Sequence, residues 1–156
     1  MCERVVADLA EVGIRVRLQN LDFAAYLAAI TGTPDEPPEA HMIYFAWVAD
    51  FPDAYNFLFT NLHSSNAGVG GNYSRYQNPE FDRLIDQAVG EPDTARRIDL
   101  YRRAERVAVE DAAWIFFYSF GEEALVRPEV EGLVLSPLGD FDIPFNRIRL
   151  VERAQD

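Results

Sequence analysis

The stretch Met42-Ile43-Tyr44-Phe45-Ala46-Trp47 is apolar along its whole length. A strand exposed on one face would alternate with polar residues, so this pattern predicts a strand covered on both sides by helices. Upstream, Val5-Val6-Ala7-Asp8-Leu9-Ala10-Glu11-Val12 spaces its apolar residues as a helix does and ends at Gly13-Ile14. Glycine just past a last helical turn takes the left-handed conformation cheaply, and the apolar residue after it packs back on the helix. Ile14-Arg15-Val16-Arg17-Leu18 then alternates strictly, predicting a strand with one buried face. Asp22 is placed to cap a second helix through Phe23, Tyr26, Leu27 and Ile30, closed by Gly32. Helix, strand, helix, strand is the order of an α/β domain with helices layered on a sheet.

On either side of the opening stretch, Thr33 to Glu39 and Ser64 to Gly71 read as loops, rich in proline and acid or in glycine. Asn78-Pro79 predicts a helix start: asparagine caps, and proline fills the first turn, where its missing N–H costs nothing. Phe81, Leu84, Ile85 and Ala88 form its core face. Asp93 or Thr94 caps a longer helix to about Ala112, with Ile98, Tyr101, Ala104 and Ala108 inward, widened by Leu100 and Val107. Its arginines, Arg96, Arg97, Arg102, Arg103 and Arg106, read as a solvated face paired weakly with nearby acids. Trp114-Ile115-Phe116-Phe117-Tyr118 predicts another buried strand, and short strands joined by turns follow through Val134-Leu135 and Ile148-Leu150.

At 156 residues the chain is long enough for one compact domain with a core. It carries 26 acids against 14 bases, a net charge of −12, and all of the bases are arginine. That balance repels phosphate backbones and anionic lipid surfaces, which disfavours nucleic acid and headgroups as partners. A single cysteine, Cys2, excludes an intrachain disulfide and a cysteine metal cluster. No apolar run is long enough to span a membrane, so direct membrane insertion is not expected. Neither a signal peptide nor the apolar stretch of a lipidated cysteine is visible.

In open α/β sheets ligands gather at the carboxyl ends of buried strands. The end that stands out here is Trp47-Val48-Ala49-Asp50-Phe51-Pro52-Asp53, with two aromatics and two carboxylates directly after the most apolar strand. An aromatic wall with a few fixed polar groups is how small-molecule sites are built. A carboxylate held there would pair with a cationic ligand group. Asp53 precedes Ala54-Tyr55-Asn56-Phe57-Leu58 and is expected to be a helix cap, whereas Asp50 has no evident structural duty.

Catalysis finds no support. Glu122 and Glu123 are adjacent, so on a strand they would point to opposite faces and could not converge on one glycosidic bond. No Gly-x-Ser-x-Gly, phosphate loop or nucleophile with a nearby base is present. His41 and His63 are far apart, without ligand-spaced neighbours, and both read as surface residues, so no metal or cofactor is assigned. Asn72-Tyr73-Ser74 matches a glycosylation acceptor by accident.

Taken in order, these segments resemble a known family. They are Leu9-Ala10-Glu11-Val12-Gly13-Ile14, Trp47 through Leu58, Asn72-Tyr73-Ser74-Arg75-Tyr76, Asn78 through Ile85, Arg97 through Glu105, and Val130-Glu131-Gly132. Together they look like the C-terminal part of the oligopeptide-, dipeptide- and nickel-binding proteins of ABC importers (extracellular solute-binding protein family 5). The resemblance implies one lobe, residues 1–156, of a two-lobed protein that closes on its ligand by a hinge. It would be the second lobe of a type II periplasmic-binding-protein-like fold, with the tail from about 145 returning toward the first. It further implies a non-enzymatic role at the periplasmic or extracellular face, capturing a small peptide and delivering it to the importer's permease subunits. The Trp-x-x-Asp aspartate of peptide-binding relatives pairs with the peptide's α-amino group, and Asp50 stands there. Trp47 matches an aromatic that lines side-chain pockets, and Phe51, Asn72 and Tyr73 fall in segments bordering the cleft. A sugar, a nickel or other metal chelate, or haem held by aromatics and Arg75 is the alternative cargo. An interaction module without any small ligand is the third reading.

Overall fold

A computed structural model describes the chain apart from residues 33–37, 39, 69, 120, 122, 137, 139–142 and 152–156. The expected loop at 33–39 and the Glu122 half of the paired glutamates therefore lie largely or wholly outside the described residues. Five helices carry the fold: α1 (Cys2–Glu11), α2 (Phe23–Thr31), α3 (Ala54–Leu62), α4 (Pro79–Gly90) and α5 (Thr94–Glu110). Short 3₁₀ turns lie at Ser64–Asn66 and Phe145–Arg147, and a small antiparallel ladder joins β1 (Val130–Glu131) to β2 (Arg149–Leu150).

The helix boundaries follow from local chemistry. Asp22, Asp53, Asn78 and Asp93 each accept a backbone N–H of the first turn with a side-chain oxygen, giving the orphaned donors of α2, α3, α4 and α5 a partner. At the end of α1, Gly13 sits at φ +84°, letting Ile14 N–H reach back to the Leu9 carbonyl at 2.9 Å. Gly132, at φ +80°, brings the chain so close to the returning segment that an added Cβ would overlap the Arg147 carbonyl oxygen.

The core lies where α3, α4 and α5 meet. Phe81, Leu84, Ile85 and Ala88 are all buried, as their spacing predicts, against Leu62 of α3 and Tyr101, Ala104 and Ala108 of α5. Ile98 departs from its predicted inward position: it is exposed and lines an open groove with Phe57 and Leu58, because α3 does not reach over it.

The expected strands differ from the prediction. Segments 14–18, 42–47 and 114–118 form no backbone ladder among the described residues. Segments 42–47 and 114–118 meet through side chains instead, the Tyr44 and Tyr118 hydroxyls lying 2.8 Å apart, and Tyr26 Oη of α2 donates to the Tyr44 carbonyl at 2.9 Å. Segment 42–49 still alternates, with Ile43, Phe45, Trp47 and Ala49 turned inward and Met42, Tyr44, Ala46 and Val48 outward. Ile14, Leu18 and Ile115 through Tyr118 are also exposed. A lone strand leaves its N–H and C=O groups without sheet partners and its second face uncovered, so apolar composition alone does not close a sheet.

One exposed brace ties the start of α4 to the end of α5. A single oxygen of Asp111 accepts from Tyr76 Oη and Asn78 Nδ2, both at 2.6 Å. The Tyr76 bond, then the Asn78 bond, hold the Asp111 carboxyl below its ordinary range, while burial and the same carboxylate push the Tyr76 phenol up. A depressed carboxyl contributes stability above its unfolded pKa and loses it as pH falls through the folded value. The raised phenol contributes below the ordinary tyrosine pKa and loses it in alkali. Acidification from pH 7 to 3 should therefore lower the urea midpoint more for the native chain than for Asp111→Asn. Parallel profiles for the two proteins would refute the brace.

Candidate ligand-binding site

Asp50 and Trp47 are joined by a residue that the sequence reading passed over. Asn56, in the first turn of α3 and 4% exposed, accepts at Oδ1 from Trp47 Nε1–H (2.9 Å) and from the Asp50 backbone N–H (3.0 Å). Its Nδ2 donates to Asp50 Oδ2 at 3.2 Å. Asp50 thus has a neighbour holding its carboxylate, yet it stays exposed and pairs with no cation among the described residues. Asp53 contrasts with it. Its Oδ1 caps α3 and its Oδ2 takes Arg97 Nη2 at 2.6 Å, the structural duty expected of it.

Trp47 opens an aromatic tier. Phe45 stacks beside it at 6.1 Å between ring centroids, and Tyr73 and Trp114 meet Phe45 edge-on at 5.4 and 5.6 Å. Phe116 continues from Trp114 at 6.0 Å. Edge-to-face and offset pairs are the arrangements that ring quadrupoles favour. The Trp114 indole N–H donates to Ser74 Oγ at 3.1 Å, tying segment 114–118 to the loop that carries Tyr73. Tyr73 thus packs in one tier with Trp47 through Phe45. Phe45, Trp114 and Phe116 share that tier and were not singled out from the sequence. The signal for Phe45 was present, because residues two apart on an extended chain share a side.

Two expected site residues sit differently. Phe51 is exposed and stacks on Tyr55, heading a ladder of rings on α3 that continues through Phe59 to His63. Asn72 is fully buried. Its Nδ2 donates to the carbonyls of Leu62, His63 and Tyr76, and its Oδ1 accepts from Tyr76 N–H and Ser74 Oγ–H. With that carboxamide engaged on both ends, Asn72 frames the loop and has no exposed surface to offer a ligand or a glycan. His63 also departs from expectation, being buried rather than superficial. Its Nδ1 accepts Ser65 N–H at 3.2 Å, and its Nε2 faces Asp86 at 3.5 Å and Asp82 at 3.7 Å. His41 is exposed, and no cluster of His, Cys, Asp and Glu suited to a metal occurs among the described residues. A depression of about 760 Å³ lies away from the aromatic tier, between α4 and α5. It is open, of mixed charge and without an aromatic wall. We place the site by the convergence of chemistry at Asp50 rather than by that hollow.

Comparison with known proteins places this order of elements beside proteins of a known class. No family model matches the chain. It is 32% identical over 139 residues to the heme-binding protein A of Haemophilus influenzae, covering 89% of this chain and 24% of that protein. It is 31% identical over 140 residues to the dipeptide-binding protein of Escherichia coli, covering 89% of this chain and 25% of the relative. In structure it resembles the ABC transporter-associated periplasmic binding protein DppA of Helicobacter pylori, solved with the peptide STSA. That superposition has a TM-score of 0.73 at 24% identity and covers 96% of this chain and 28% of the other, a likeness of fold. Over most of its length the chain is similar to periplasmic dipeptide- and oligopeptide-binding proteins, and it spans about a quarter of the length of these relatives. The layered fold predicted from the sequence agrees with these neighbours, although the chain itself is mostly helical with a small sheet. No helix among the described residues is long and apolar enough to cross a membrane.

Proposed function

We propose that the chain forms one wall of the ligand cleft in the binding component of an ABC importer, and that this wall takes a short peptide by its amino end. The observation that carries the reading is Asp50: an exposed carboxylate, braced from behind by buried Asn56, beside an aromatic tier and without a cation partner among the described residues. A peptide ammonium would supply the missing charge through a charge-assisted hydrogen bond, and the tier of Trp47, Phe45 and Tyr73 would receive the first side chains. The relatives named for dipeptides agree with this choice. The opposing lobe would come from the rest of the polypeptide, which would also cover the apolar faces left open at 14–18, 42–48 and 115–118. The chain would then act at the periplasmic or outer face of the membrane, hand its unchanged cargo to permease subunits, and catalyse nothing.

The test is calorimetric titration of a free-amino dipeptide into the complete polypeptide that carries this chain, with and without Asp50→Ala. Removing one partner of a desolvated charge pair costs about 2–5 kcal/mol, so affinity should fall roughly thirtyfold or more. Equal affinity for the variant would exclude Asp50 as the amine anchor. Binding of haem, a sugar or a metal chelate, with none of peptide, would overturn the peptide assignment.

A further inference from the structure

We infer that Asn56 is a positioning residue of the binding site, setting the Asp50 carboxylate and the Trp47 ring in one fixed relation; the inference rests on the amine-anchoring role proposed for Asp50. One buried carboxamide makes three bonds to two residues that a ligand would touch. Both of the groups it accepts from are obligate donors, the indole N–H and a backbone N–H. Turned over, the amide would set its own N–H groups against those two, so only one orientation satisfies all three bonds. That orientation leaves Nδ2 facing Asp50, where it can only donate. Burial excludes water as a substitute partner, so the geometry has no cheap alternative.

The link has a consequence for recognition. Asp50 lies beyond the cap of α3 on an exposed bend, where a free carboxylate side chain would sample several rotamers. Held by Asn56, it is oriented before a ligand arrives, and the Trp47 ring is placed relative to it. Amine and first side chain are then read together, because one amide fixes both the charge and the wall. Asn56 lies in the first turn of α3, a helix whose cap is in turn tied to α5 by the Asp53–Arg97 pair. The anchor is thereby referred to the rigid three-helix core rather than to the loops.

The experiment has two arms. In the complete polypeptide, Asn56→Ala should weaken binding of a free-amino dipeptide about tenfold or more, as loss of a hydrogen bond to a charged group does. In an Asp50→Ala background the same replacement should cost less than about threefold, since most of its effect passes through Asp50. Equal losses in both backgrounds would overturn the inference and leave Asn56 a structural residue. The second arm reads the Trp47 indole N–H in a proton–nitrogen correlation spectrum of the same polypeptide, with Trp47→Phe identifying its peak. Asn56→Ala should shift the Trp47 peak upfield, whereas Asn56→Asp, isosteric and still accepting, should leave it hydrogen-bonded. A peak unmoved by Asn56→Ala would refute the positioning role whatever the ligand is. If the unmutated protein bound no peptide while the peak moved as expected, the peptide reading would fail and the placement of Asp50 and Trp47 by Asn56 would stand.

Discussion

Replacing Phe81 by alanine is expected to lower the stability of the chain by about 3–5 kcal/mol, a large share of what a domain of this size has. Phe81 is completely buried in the first turn of α4, and its ring meets Tyr76 edge-on at 5.5 Å. Around it lie Leu62, Leu84 and Ile85, themselves almost wholly buried. The replacement removes the transfer free energy of the ring and leaves a void that these neighbours cannot fill without leaving their rotamers. Phe57→Ala is the control: the same chemistry at a ring 44% exposed, expected to cost about 1 kcal/mol or less. Urea unfolding followed by circular dichroism would compare the two. A Phe81 loss no larger than that of Phe57 would mean that the α3–α4–α5 junction is not the stabilising core.

Asn72→Ala should be comparably damaging, at about 3–5 kcal/mol, for a different reason. Its side chain spans the loop between α3 and α4, meeting three carbonyls, one N–H and one hydroxyl. Its backbone takes part as well: its N–H donates to Asn66, and its carbonyl accepts from Gly68 and Arg75. Alanine fills none of the space and leaves buried carbonyls without donors, each worth about 1–3 kcal/mol. Asn72→Asp is the sharper variant, because it retains both accepted bonds and loses all three donated ones. Its stability should fall nearly as far as that of the alanine variant. Near-native stability for Asn72→Asp would show that the donated bonds carry little. Because Ser74 and Tyr73 lie on this loop, both variants should also disturb the Ser74–Trp114 bond and the Tyr73 side of the aromatic tier.

The helices were legible because their signals are local. Asp22, Asp53, Asn78 and Asp93 cap with their own side chains the turn that follows them, and Gly13 and Gly32 close turns by backbone freedom alone. The buried stripe of α4 was legible too, since a period of 3.6 residues leaves one face for Phe81, Leu84, Ile85 and Ala88. Asp50 could be singled out by exclusion: Asp53 had a cap to make, and Asp50 did not. What was not legible was the partner of each polar group. Asn56 sits among Tyr55, Phe57 and Leu58 as an ordinary helix residue, and nothing in its neighbours in sequence says that its amide meets Trp47 and Asp50. Asn72 read as a cleft residue because its segment resembles one that borders the cleft, but its contacts come from both ends of its loop, at Leu62, His63 and Tyr76.

By itself, then, the sequence determined the helices, their caps, the inner face of α4 and the family that the chain resembles. Those depend on neighbours within a turn or on the order of segments along the chain. Tertiary structure alone decided that Asn56 joins Asp50 to Trp47, that Asn72 is buried as the frame of its loop, and that His63 is buried. It also decided that segments 14–18, 42–47 and 114–118, strand-like in composition, form no ladder among the described residues, and that the last two meet through tyrosine hydroxyls and edge-on rings. A hydrogen bond between distant residues, like a ladder between distant strands, is a property of two pieces of chain at once, and composition describes only one of them.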